Sequence, residues 1–198
     1  MAITDGYTTL LEVKAILRIT DEVEDNLLET CIEAASRQID THCERVFSAT
    51  TETRVFAPDN NYLVSIDDLS ALTELKTSSG ADGTFDITWS ANDIQLEPLN
   101  GKAGSIYTPY TRIRSVGDYL FPTLGEEATV KVTGTFGYGA VIPIDVKQAC
   151  NLLAIRQFKR YDSPLGVAGF GDIGVVRVSR VDPDIEALLG PYRKMRMA

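Results

Sequence analysis

Residues 130–149 read VKVTGTFGYGAVIPIDVKQA, and they hold the transition on which the fold turns. Val130, Val132 and Gly134 alternate with Lys131 and Thr133, the period-two pattern of a half-buried strand. The glycines of the run Gly134 to Gly139 then read as a turn. Pro143 follows, a residue suited to the first position of a helix, and from Ile144 to about Tyr161 the period lengthens. Val146, Ala149, Cys150, Leu153 and Phe158 line one wide apolar face there, with Leu152 and Ile155 beside it. A helix apolar over so much of its girth needs cover on more than one side. A β-rich region therefore ends near Gly139, and a helical one resumes after it.

Working backwards, residues 48–139 are cut into short runs rich in Thr, Val, Ile and aromatics. Candidate strands are 53–57, 62–66, 71–77, 85–89, 93–96, 111–116 and 129–138. Pro58-Asp59-Asn60-Asn61, Ser79 to Gly83 and Asn100-Gly101 supply turns between them, and the acidic pairs Asp67-Asp68 and Glu126-Glu127 also read as turns. This describes a small antiparallel module, a sandwich or open barrel.

Before residue 48 the chain is helical. Thr9-Leu10-Leu11-Glu12 is a capping box opening a first helix, and Ile19-Thr20-Asp21 ends it and caps a second. From Glu22 to about Glu44, Leu27, Leu28, Cys31, Ile32, Ala35, Ile39 and Cys43 recur at three- and four-residue spacing. The opposite face carries Glu29, Glu33, Arg37 and Asp40, a surface for water or for a second subunit. Phe47 is expected to anchor the helical core, and a short helix, 184–189, follows Asp182-Pro183. The expected fold class is α+β. A discontinuous helical base, 1–47 with 140–198, carries two N-terminal helices, a long C-terminal helix and a short last one. Residues 48–139 form its β-rich antiparallel insertion.

Between the last two helices lies SPLGVAGFGDIGVVRVSRVD, residues 163–182, too apolar for a linker and too rich in glycine for a regular element. Gly169 to Gly174 matches G-x-G-x-x-G, but that motif works where a strand delivers glycines to a helix N-terminus. Here a helix precedes and a strand-like run follows, so nucleotide binding is not expected. The segment 163–181 reads instead as a docking arm. Leu165, Val167, Phe170 and Ile173 are its anchors, and residues 175–181 form a strand able to pair with a partner's edge.

Charge narrows the function. The net charge is −9, and it is uneven. Residues 1–50 hold ten acids and four bases, 51–143 twelve and six, and 144–198 six and nine, giving −6, −6 and +3. An acidic body is ill suited to neutralising phosphates along nucleic acid. The basic end, with Arg177, Arg180, Arg193, Lys194 and Arg196 beside Tyr192, suits an acidic partner surface or a contact with DNA, and equally a solvated face, which is the commoner outcome for such a charge run. No apolar run approaches the ~18 residues that span a bilayer, and residues 1–6 lack a signal-peptide pattern, so synthesis in the cytoplasm is expected.

Catalytic and metal-binding patterns are sparse. Cys31, Cys43 and Cys150 lack metal-ligand spacing and read as buried free thiols, and His42, the sole histidine, reads as a partly exposed helix residue. Tyr107, Tyr110, Tyr119 and Phe121 interleave with Arg112 and Arg114, faintly like a single-strand-binding surface, though a sheet core with outward arginines fits the acidity better. No nucleophile, base and orienting group fall together, so a non-enzyme without cofactor or metal is expected.

Three segments resemble a known family. These are Tyr7 to Lys14 (YTTLLEVK), Ala34 to Asp40 (AASRQID) with Arg45-Val46-Phe47, and Phe121-Pro122 followed by Val130 to Gly137 and Ile142 to Ala149. Their order is similar to that of the head–tail connector (adaptor, or head-completion) proteins of tailed bacteriophages. The resemblance implies a virion protein of the neck, made in the bacterial host. It would form a ring of its own copies, commonly twelve, beneath the portal protein. Such a ring extends the DNA channel without reading sequence and offers a platform to the stopper or tail-completion protein. Alternatives are a stopper or tail-completion protein itself, or a soluble binding domain whose β module takes a small ligand.

Overall fold

The structure, a computed structural model, describes Ile3 and residues 5–80, 83–101, 107–123, 127–162, 167–168, 176–177 and 183–194. The chain divides into two compact units. One comprises Met1–Arg45 with Ile142–Ala198, the other Val46–Val141.

In the helical unit, α1 (Leu10–Leu17) opens on Thr9, whose side chain accepts from the Glu12 amide while Glu12 reaches back to the Thr9 amide. This is the expected capping box, worth about 1 kcal/mol. Arg18, at φ 60°, closes the helix. The second helix, α2 (Asp25–Cys43), starts three residues later than its sequence suggests. Asp21 turns its carboxylate onto the Val23 amide at 3.2 Å, and Lys14 Nζ donates to both the Asp21 carbonyl and Asp25 Oδ1 at 2.5 Å. Side-chain bonds thus hold residues 21–24 in a turn that competes with helix.

The third helix, α3 (Ile144–Asp162), buries Val146, Ala149, Cys150, Leu153, Ala154 and Phe158. It packs against α1, α2 and the short helix α4 (Pro183–Leu189), which contributes buried Ile185 and Leu189. The wide apolar face is therefore covered within the unit, and it needs no second subunit. Tyr7 is a core residue that its sequence did not announce. Its ring is buried and its amide donates to Ser36 Oγ at 3.0 Å, while Ser36 itself donates to the Ile32 carbonyl and lies 3.4 Å from Cys150 Sγ.

The β unit is one antiparallel sheet. Its strands are β1 (Thr50–Phe56), β2 (Leu63–Thr77), β3 (Ile87–Thr88), β4 (Ile94–Glu97), β5 (Tyr110–Ser115) and β6 (Val130–Phe136). They lie in the order β1-β6-β2-β5-β4, with β3 also on β2. Two expected strands, 62–66 and 71–77, are one. The Asp67-Asp68 pair lies inside β2 rather than on a turn, because register shifts between Ser65 and Leu69 and again between Leu69 and Glu74 absorb the extra residues. Such bulges bend a strand without ending it, so β2 pairs with β5 along its first half and with β6 along its second.

Core side chains alternate as the pleat requires. Val64, Leu69, Leu75, Ile113, Val130, Val132 and Phe136 face inward, and Trp89 stacks on Phe121 at 4.7 Å. Phe47, expected in the helical core, belongs here instead. It is buried with its ring 5.1 Å from that of Tyr138, and the Tyr138 amide donates to the Val46 carbonyl at 2.8 Å. Gly134 and Gly137 are both needed. A Cβ on Gly134 would collide with the Ala71 carbonyl, and Gly137 takes φ 114° against the Ser48 carbonyl. Gly134 is thus a strand residue, and the turn begins only at Gly137. A separate pair, β7 (Val167–Ala168) with β8 (Val176–Arg177), is antiparallel.

Candidate assembly surfaces

The α2 face singled out by charge is partly spent inside its own unit. Arg37 donates to the Asp5 carbonyl at 3.1 Å, pairs with Asp40 at 3.2 Å and holds its guanidinium 5.6 Å from the Tyr7 ring centroid. Tyr7 Oη donates to Asp40 Oδ1. Burial pushes the Asp40 carboxyl above its ordinary range, opposed by the Tyr7 hydroxyl and by Arg37. These contacts clamp the N-terminal segment to α2. Glu33 and Glu29 are half-buried one and two turns before Arg37 on the same helix.

The C-terminal residues divide similarly. Tyr192 is buried and donates to Asp145 Oδ2 at 2.9 Å, tying the segment after α4 to the first turn of α3. The Lys194 amide donates to the Cys43 carbonyl at 3.0 Å, and Arg193 is exposed. Val167 and Arg177 pair across β7 and β8. Leu165, Phe170, Ile173, Arg180 and Arg196 lie outside the described residues, as does the G-x-G-x-x-G run.

The remaining chemistry is quiet. Burial raises all three thiols, Cys43 to about 11, so none is a ready nucleophile. His42 is partly exposed, with Nε2 3.6 Å from Glu186 Oε2 on α4. Among the described residues no cluster of His, Cys, Asp or Glu could hold a metal ion, and no helix is long and apolar enough to cross a membrane. Arg112 and Arg114 do face outward from β5, while Ile113 between them is buried. Both converge on Glu97, at 3.6 and 2.6 Å, and Arg114 holds that carboxyl below its usual range. One carboxylate thus offsets one of the two arginines. An open groove of about 530 Å³ beside them is lined by Glu97, Leu99, Asn100 and Arg112. Its two charged groups already face each other.

Large apolar side chains are left outside. Val23, Leu11 and Ile144 are about four-fifths exposed in the helical unit, and Tyr62, Tyr119 and Leu120 are about half exposed in the β unit.

Residues 7–82 match the phage gp6-like head-tail connector family. The match takes in α1, α2, β1 and β2, and so crosses from the helical unit into the β unit. No curated protein matches the sequence. Solved structures resemble the chain along its whole length. A chain from the neck of an empty GTA particle computed with C6 symmetry is 18% identical, with TM-score 0.64 over 100% of this chain and 95% of that one. One from the neck of a native GTA particle computed with C12 symmetry is 17% identical, with TM-score 0.62 over 100% and 94%. A chain from the virion of a native gene transfer agent particle is 19% identical, with TM-score 0.62 over 100% and 95%. At these identities the likeness to the neck chains is one of fold.

Proposed function

We propose that this protein is a structural, non-enzymatic head-to-tail connector in the neck of a tailed-phage-type particle. One observation carries the reading: residues 7–82 match the connector family, and the chain shares its fold end to end with chains of GTA necks. In this reading copies assemble as a ring beneath the portal protein, twelve being the count that C12 symmetry in one such neck favours. Head-to-tail closure uses two different patches on each subunit. Glu29 and Glu33 on α2 form part of one, whereas Arg37 and Asp40 serve chiefly to clamp the subunit's own N-terminal segment. The basic residues Arg177, Arg180, Arg193, Lys194 and Arg196, with Leu165, Val167, Phe170 and Ile173, are the portal-directed surface. Tyr192 supports them from within the core. DNA passes through the ring unread, since an acidic wall repels phosphate, and a stopper or tail-completion protein docks on the far side.

Light scattering and negative-stain microscopy of the chain, alone and mixed with its portal protein, test this. Rings, or added density on the portal, are expected. A chain that stays monomeric in the presence of portal overturns the proposal.

A further inference from the structure

The two edges of the sheet are unlike. The edge strand β4 has four residues, preceded by the 3-10 turn Ala91–Asp93 and followed directly by Pro98, so it offers little to a further strand. At the other edge β1 runs for seven residues in unbroken register with β6, from Thr50 opposite Phe136 to Phe56 opposite Val130. Exposed edges are ordinarily defended by charged side chains, above all lysine, or by proline, bulges or short length. β1, TTETRVF, has no lysine, proline or bulge and is not short; its charges are Glu52 and Arg54, both on its half-buried face. Its one cation, Arg54, lies over the Phe136 ring at 4.4 Å and is tied to Glu52 and, at 2.7 Å, to Asp67. Among the described residues β1 pairs with β6 alone, so alternate amides and carbonyls point away from the sheet.

We propose that this edge pairs antiparallel with β1 of a second copy, with Thr53 on the two-fold axis. The sequence of the strand selects that register. About Thr53, Glu52 lies opposite the partner's Arg54, Arg54 opposite the partner's Glu52, and Thr51 opposite the partner's Val55. Opposite charges across a strand pair stabilise it and like charges oppose it. Sliding by one pleat in either direction sets Glu52 against its own copy, or Arg54 against its own copy. The outward face continues as a ladder of β-branched residues. Thr51 and Thr53 already meet Thr135 and Thr133, with hydroxyls 3.3 and 2.8 Å apart. A two-fold contact joins a patch to itself, whereas ring closure joins two different patches. This pairing therefore belongs to the free chain, and it stands or falls separately from the ring.

Cysteine placed on the axis tests it, because the three native thiols are buried. Residues facing each other across a strand pair lie about 4.5–5.5 Å apart at Cα, within the roughly 4.4–6.8 Å that a disulfide spans. Under mild oxidation the full chain carrying Thr53→Cys is expected to run as a covalent dimer on a non-reducing gel. Val55→Cys, whose own copy lies four residues along the partner strand at about 13 Å, is expected to stay single. Mixed Thr51→Cys and Val55→Cys chains should cross-link to each other. By sedimentation the wild-type chain should show a monomer–dimer equilibrium. Glu52→Arg should weaken it by about tenfold through two like-charge pairs, and Glu52→Arg with Arg54→Glu should restore it, with circular dichroism reporting an intact fold. A wild-type chain that sediments as monomer at every concentration, or equal cross-linking at positions 53 and 55, overturns the proposal.

Discussion

Gly137→Ala isolates what the tertiary structure asks of the glycine run after β6. The residue holds φ 114°, and an added Cβ would press on the Ser48 carbonyl oxygen, with the Ser48 carbonyl carbon at 3.0 Å and Ala49 Cα at 3.1 Å. All three atoms are backbone at the entry to β1, so no side chain can swing aside. Relief requires moving the chain that carries the Gly137 amide bond to the Asp68 carbonyl, 2.7 Å, and the adjacent Tyr138 amide bond to Val46, 2.8 Å. A non-glycine residue in such a conformation costs about 1–3 kcal/mol. Overpacking against a fixed wall costs about 1–3 more, so a loss of roughly 2–6 kcal/mol is expected. Trp89, the only tryptophan, is buried on Phe121 in the β unit and reports that unit's unfolding by fluorescence. With an m-value of about 1.5 kcal/mol/M the urea midpoint should fall by roughly 1.3 M or more. Two controls separate the causes. Gly117→Ala, at φ 73° with nothing within 4 Å, should show the conformational cost alone. Gly80→Ala, in open space at an ordinary φ, should be neutral or stabilising by about 0.4–1 kcal/mol. A midpoint for Gly137→Ala within ~0.3 M of wild type, less than about 0.5 kcal/mol at that m-value, would refute the reasoning.

Tyr7→Phe removes the hydroxyl that donates to Asp40. Because the Asp40 carboxyl is raised in the folded protein, its ionised form is the costly one, and that cost disappears as pH falls through the folded value. The variant should lose about 1.5–3 kcal/mol at pH 7 and distinctly less once Asp40 is protonated. Urea midpoints at the two pH values check this, and an equal loss at both would count against a charged acceptor. Burial raises Cys31, Cys43 and Cys150 and denies reagents access, so a thiol reagent should titrate all three in denaturant and almost none in the native chain. One fast-reacting thiol under native conditions would contradict that packing.

Local chemistry was legible wherever a residue's neighbours in sequence are also its neighbours in space. The Thr9–Glu12 capping box, the three-and-four spacing of α2, the alternation of β6 and the proline-led start of α3 are all short-range patterns, and the structure realises each of them. The outward arginines of β5 belong with them, since one pleat decides which way a side chain points. The surfaces were read less well. Charge spacing put Arg37 and Asp40 on the outside of α2, but it could not foresee that Tyr7, some thirty residues earlier, folds back to occupy them.

The tertiary structure decided whatever depends on partners distant in the chain. Asp67-Asp68 looks like a turn until β5 and β6 are present to hold the two halves of β2 in line through its bulges. Phe47 looks like the last residue of a helical core until Tyr138 places it in the sheet unit. The wide face of α3 announced that it needed cover, and only packing revealed that α1, α2 and α4 supply it. Residues 130–149 combine both kinds of information. Strand, glycines, proline and helix follow from φ preferences and side-chain period alone. Why Gly134 and Gly137 cannot be anything else follows from Ala71 and Ser48, whose carbonyls arrive from far along the chain to lie against them.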